Sequence, residues 1–73
     1  MKLLDLILSE TKTTSIKQLK ENAENGNVHA QYNLALLLYD GQWMPKNRYE
    51  SKLWCKKAAD QGHTAAQRFL NRF

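Results

Sequence analysis

Gly26 to Leu34 reads GNVHAQYNL and Gly62 to Leu70 reads GHTAAQRFL. The two stretches align without a gap at an offset of 36 residues, pairing Gly26 with Gly62, Ala30 with Ala66, Gln31 with Gln67 and Leu34 with Leu70. The offset continues upstream, where it sets Ala23 against Ala59 and Lys20 against Lys56, so that IKQLKENAENG (16–26) corresponds in character to KLWCKKAADQG (52–62). A stride of this length marks a repeat architecture, in which each supersecondary unit buries its apolar face against its neighbours. The 73 residues are therefore one domain, with a complete repeat over about 27–62 and partial repeats on either side.

Helix start and stop signals fall where that stride requires them. Ser15-Ile16-Lys17-Gln18 has the form of a capping box and opens a helix to about Asn25, with Gly26 ending it. Asn27 is a suitable N-cap for a second helix to about Tyr39, which Gly41 ends. Pro45 belongs to the following loop, Asn47-Arg48-Tyr49-Glu50 opens a third helix, and Gly62 closes it. Thr64-Ala65-Ala66-Gln67 offers a further capping box for a fourth helix that runs to Phe73. Ala30, Leu34, Leu37 and Leu38 share one face, as do Leu53, Trp54, Ala58 and Ala59, and no period-two strand pattern competes. Leu3, Leu4, Ile7 and Leu8 are also at helical spacing and predict a short N-terminal helix capping one open end of the stack. The expected fold is all-α: a short antiparallel stack of helical hairpins, with about four helices plus the short N-terminal one.

Composition sets the outer bounds. Apolar residues at 42% and charged residues at 25% are those of an ordinary globular protein. A chain this short buries only about 60% of the surface it exposes when unfolded, so added burial against a second copy or a partner is expected. Cys55 is the sole cysteine, which excludes an intramolecular disulfide, a zinc ribbon and a CxxC redox motif and suits a reducing cytoplasm. The apolar N-terminal run is short, is interrupted by Asp5 and lacks a cleavage motif, so it reads as mature protein. No stretch approaches the roughly 20 apolar residues of a membrane span. Net charge is +4 and uneven, with four Lys and five acids in residues 1–40 against seven Lys or Arg and two acids in 41–73. Such asymmetry favours an acidic partner.

Ala30-Gln31, Leu34, Tyr39, Gly41, Pro45, Trp54, Lys57-Ala58-Ala59 and Gln61-Gly62 together resemble the Sel-one-like repeat family of short, tetratricopeptide-like helical hairpins. The resemblance spans about Ala23 to Leu70, and Trp54 followed by Lys57-Ala58-Ala59-Asp60-Gln61-Gly62 is its most specific part. It implies a right-handed stack of antiparallel helix pairs whose concave face binds proteins or peptides, and it brings no catalytic residues. The sequence departs from the family where a second Gly usually stands (Trp43), where an acid stands (Asn47) and where a small Ala stands (Ser51). A large aromatic such as Trp43 in a glycine loop is either folded back as core or presented as a binding anchor.

Candidate chemistry is sparse. His29 and His63 lie in or beside turns with no ligand at metal spacing and read as structural or exposed histidines. Cys55 has no general base placed near it and reads as a small core residue. Glu21 and Glu24, interleaved with Lys17 and Lys20, read as a solvated face. No catalytic, cofactor or metal site is expected. Arg48, Lys52 and Lys56 recur every four residues, as do Arg68 and Arg72. Such rows either keep a small protein soluble or form a basic ridge whose mutual repulsion a bound acidic surface reverses. Tyr32, Leu36 and Tyr39 make an aromatic-rich stripe that lines a short groove or packs as core.

The expected function is therefore a non-catalytic protein-binding adaptor in the cytoplasm. Its partner-binding residues are drawn from Arg48, Lys52, Lys56, Trp43, Tyr32, Tyr39, Arg68 and Arg72, its partner is a protein with an acidic surface, and a homodimer is a further option. The alternative is a small inhibitor or immunity-type protein that occludes an enzyme, toxin or effector. Nucleic acid ranks below both, because aromatic interleaving is thin.

Overall fold

The computed structural model describes residues 15–73. Four helices follow one another: α1 (15–24), α2 (Val28–Asp40), α3 (Arg48–Asp60) and α4 (Thr64–Phe69), with a 3-10 turn over Leu70–Arg72. No strand occurs among the described residues. The expected helix over Leu3–Leu8 lies outside them. Ser15, expected to open the capping box, is itself helical.

The 36-residue echo is an echo of hydrogen bonds. Gly26 N–H reaches the carbonyl of Ala23 at 3.1 Å and Asn27 N–H that of Asn22 at 3.0 Å, while Gly62 reaches Ala59 at 2.9 Å and His63 reaches Ala58 at 3.2 Å. Both pairs form the Schellman closure, which needs a left-handed residue at the glycine; Gly26 and Gly62 have φ of 95° and 91°. Gln31 Nε2 then donates to Ala23 O at 3.1 Å, and Gln67 Nε2 donates to Ala59 O at 3.1 Å. The repeated glutamines thus tie each hairpin's first helix to the end of the helix before it. Gln31 is buried and its Oε1 accepts from Gln61 Nε2 at 2.8 Å, so its amide is satisfied on both sides.

Caps define the remaining boundaries. The Asn27 side chain accepts from Ala30 N at 2.9 Å, and that of Asn47 accepts from Glu50 N at 2.9 Å while donating to Glu50 Oε2 at 3.4 Å. At α4 the N-cap is His63 rather than Thr64: its Nδ1 accepts from Ala66 N at 3.0 Å. Thr64 is already helical, and Gln67 uses its amide on Ala59 O instead of reaching back to complete the expected box. The α2–α3 loop turns at Gly41, φ 74°, where an added Cβ would lie 2.9 Å from Lys46 Cβ and 3.1 Å from Lys46 N. Asn47 N–H donates to Leu38 O at 2.9 Å and closes the loop.

Packing is built on small side chains. One cluster joins Ala23 of α1 to Ala30, Leu34 and Leu38 of α2; the other joins Ala35 of α2 to Cys55, Ala58 and Ala59 of α3 and Ala66 of α4. Alanines at these contacts let helix backbones approach closely. Trp54 packs against both clusters and holds the layers together. Contacts along α2 and α3 run in opposite directions, from Arg48 with Tyr39, through Ser51 with Ala35, to Gln61 with Gln31, which makes the pair antiparallel. Ser51, where the family's small residue was expected, is fully buried and donates its hydroxyl to Ala35 O at 2.6 Å. Two core assignments change. Leu53 is 44% exposed, because Ser51 and Cys55 occupy the inward face of α3 on either side of it, and Leu37 is only half-buried.

Candidate protein-binding faces

The residues of α2 that turn toward α4 are Tyr32 and Tyr39, two helical turns apart. Tyr32 stacks on His63 with ring centroids 4.5 Å apart and meets Phe69 edge-on at 6.4 Å. Tyr39 meets Phe69 at 5.0 Å and Phe73 at 5.4 Å, and Phe69 meets Phe73 at 5.6 Å, all in edge-to-face arrangements. The result is a continuous aromatic surface contributed by α2, α4 and the 3-10 turn. Edge-to-face contacts of this kind add about 0.5–1.5 kcal/mol each beyond area burial, so the rings hold one another in place.

Arginines border this surface. The Arg48 guanidinium lies 3.5 Å over the centroid of the Tyr39 ring while its Nε donates to Tyr39 O at 2.9 Å. Arg72 lies 5.5 Å from the Phe69 centroid. Arg68 and Arg72 line a shallow depression of about 460 Å³ together with Tyr32, Thr64, Ala65 and Phe69. Guanidinium groups resting on rings are oriented in advance, and their planar donor forks match carboxylates.

The structure regroups the residues singled out from the sequence. Arg48 leaves the row it was expected to share with Lys52 and Lys56, because its side chain folds back onto Tyr39 at the end of α2. Lys52 and Lys56 are exposed along α3. Tyr32 and Tyr39 belong to the aromatic surface with Arg48, Arg68 and Arg72, whereas Leu36 lies on a different surface. Leu36 joins Trp43 in a second, more apolar groove of about 410 Å³, lined also by Ile16, Leu19 and Leu37. Trp43 is 59% exposed with φ 61°, the left-handed region that a glycine would occupy without strain. Its ring is therefore not folded away into either core cluster of the described residues. Sequence reasoning passed over Phe69 and Phe73, although Phe69 lies one turn from Arg72 and one from Ala66, which marks an α4 face shared between packing and surface.

The remaining candidate groups sit apart from these surfaces or at their edge. The Cys55 thiol is buried, donates to Ala66 O at 3.2 Å, and has its pKa raised by burial. His29 and His63 rings stand 5.7 Å apart, but among the described residues no three His, Cys, Asp or Glu side chains are grouped to hold a metal ion. No helix among the described residues is long and apolar enough to cross a membrane.

Comparison with known families matches residues 28–63 to the family described as the Sel1 repeat. Neither a curated protein nor a solved structure matches the chain significantly.

Proposed function

This chain belongs to the Sel1-like repeat family, whose repeats mediate protein–protein interaction, and we propose that it does so by holding an acidic segment of a partner protein against the aromatic–arginine face. One observation carries this reading: Arg48, Arg68 and Arg72 border a continuous surface of Tyr32, Tyr39, Phe69 and Phe73. Rings supply apolar contact area at low entropic cost, and the guanidinium forks supply orientation and selection for carboxylates. The excess of seven basic residues over two acidic ones in residues 41–73 steers an acidic partner toward this end of the molecule. A face built on one complete repeat suits a single compact epitope, which also accommodates occlusion of one enzyme or effector.

The test uses fluorescence anisotropy with labelled peptides rich in Glu and Tyr, alongside matched peptides in which Gln replaces Glu. Tight binding of the acidic series alone is expected. In the protein, R68E with R72E is expected to weaken it at least tenfold, about 1.4 kcal/mol. Circular dichroism should be unchanged, since both side chains are exposed. Equal binding of the Glu and Gln series, or an unchanged affinity in the double variant, would refute the reading. Steep loss of affinity for duplex DNA with rising salt, in a chain indifferent to acidic peptides, would assign the arginines to phosphates instead.

A further inference from the structure

The groove headed by Trp43 is a second surface, independent of the aromatic–arginine face. Ile16 and Leu19 of α1 form one wall, Leu36 and Leu37 of α2 the other, and Trp43 stands at the end of α2. The internal repetition shows what such a flank normally meets. On its opposite side α2 is covered by α4, whose Ala66 enters the core and whose Phe69 packs beside it. On the Leu36–Leu37 side no described helix provides an equivalent cover.

We infer that the occupant of this groove is the chain's own N-terminal segment, Leu3 to Leu8. Its apolar residues Leu3, Leu4, Ile7 and Leu8 fall at one-turn spacing, giving a strip of aliphatic side chains like the groove walls. The connection is polar throughout, Ser9-Glu10-Thr11-Lys12-Thr13-Thr14, as a reversal between two packed segments would be. It leads straight into the site, because Ser15 and Ile16 themselves line the groove. From Leu8 to Ser15 the backbone can span roughly 23 Å at about 3.3 Å per residue, enough to turn back along α1. A tether this short keeps the segment at an effective concentration on the order of millimolar, which favours it over a second copy of the chain at ordinary dilution. Trp43, held in a left-handed backbone conformation, then closes over the inserted aliphatic strip instead of facing water.

The experiment is methyl NMR on the full chain, with Ile and Leu methyls labelled. Contacts are expected from the Ile7 and Leu8 methyls to those of Leu36 and Leu37 and to the Trp43 indole, unchanged on dilution. Leu4→Asp with Ile7→Asp should abolish them and shift the Trp43 indole resonance while leaving Tyr32, Phe69 and Phe73 in place. Absence of these contacts in the unsubstituted chain overturns the inference, whether or not the double variant folds. Contacts found only between differently labelled molecules in a mixed sample overturn it in favour of a second copy.

Discussion

His63 performs two tasks at the junction of α3 and α4, and three substitutions separate them. Its Nδ1 caps α4 through Ala66 N, and its ring stacks on Tyr32 at 4.5 Å. Loss of an N-cap costs about 1 kcal/mol, within a range of roughly 0.5–2. Loss of an aromatic stack costs about 0.5–1.5 kcal/mol. His63→Ala forfeits both, so a destabilisation of about 2 kcal/mol is expected. His63→Asn keeps the cap, because the equivalent position 36 residues earlier is Asn27, whose side chain accepts from Ala30 N in the same geometry. Its cost should be about 1 kcal/mol, the stack alone. Thr64→Ala removes the residue that sequence reading places at the cap but the structure places inside the helix, so its effect should stay within about 0.5 kcal/mol.

Thermal unfolding followed by circular dichroism resolves these differences, since a domain of this size loses roughly 4–8 °C of Tm per kcal/mol. The expected order of loss is His63→Ala, then His63→Asn, then Thr64→Ala near the parent. If Thr64→Ala were as damaging as His63→Ala and His63→Asn no better than His63→Ala, the cap would sit on Thr64. The register of α4 against α2, and with it the placement of Tyr32 on the proposed binding face, would then be wrong.

Gly41→Ala should destabilise by about 2–4 kcal/mol, the sum of left-handed strain and collision with the Lys46 backbone, against about 1–2 for Gly26→Ala or Gly62→Ala, where an added Cβ meets open space. Urea titration of the three variants checks the ranking, and equal losses would contradict the tight loop. Cys55 should react with thiol reagents only as fast as the fold opens, because burial raises its pKa and keeps it protonated. For the same reason the unfolded chain gives up the thiol proton at lower pH than the folded one, so stability falls as pH rises above the ordinary thiol range. Cys55→Ser, which retains a donor toward Ala66 O, should lack that component of the alkaline slope in denaturation curves. An identical slope in both proteins would show that the thiol does not contribute.

The hairpins were legible because their signals are backbone requirements. Gly26 and Gly62 are demanded by positive φ, and Ala30 and Ala66 by close approach, so the offset that pairs them in sequence also pairs them in space. Where reading failed, the cause was a side chain with more than one physical option. Leu53 and Trp54 are adjacent and lie about 100° apart on the helix, so a common apolar stripe does not decide which of the two large side chains turns inward. The inward arc went to Ser51, Cys55 and Ala58, which hydrophobicity alone undervalues, while Trp54 bridges the layers from the edge. His63 is a rare cap by type, and only its match to Asn27 in the repeat pointed to it.

The same freedom explains why the aromatic–arginine surface proposed for binding was only partly legible in the sequence. Spacing of four residues placed Arg48 with Lys52 and Lys56, but a long flexible stem lets a guanidinium choose among neighbours, and the Tyr39 ring with its backbone carbonyl offers two attachments at once. Among the described residues no ring lies beneath Lys52 or Lys56, whereas Lys57, outside the row, lies 4.5 Å over the Trp54 ring. Charge spacing therefore located basic residues without locating the surface they serve. That surface became definite when helix stacking brought Phe69 and Phe73 from the end of the chain against Tyr39. A surface made by two helices more than twenty residues apart is written in the repeat's stride, and a row of like charges on one helix is not enough to specify it.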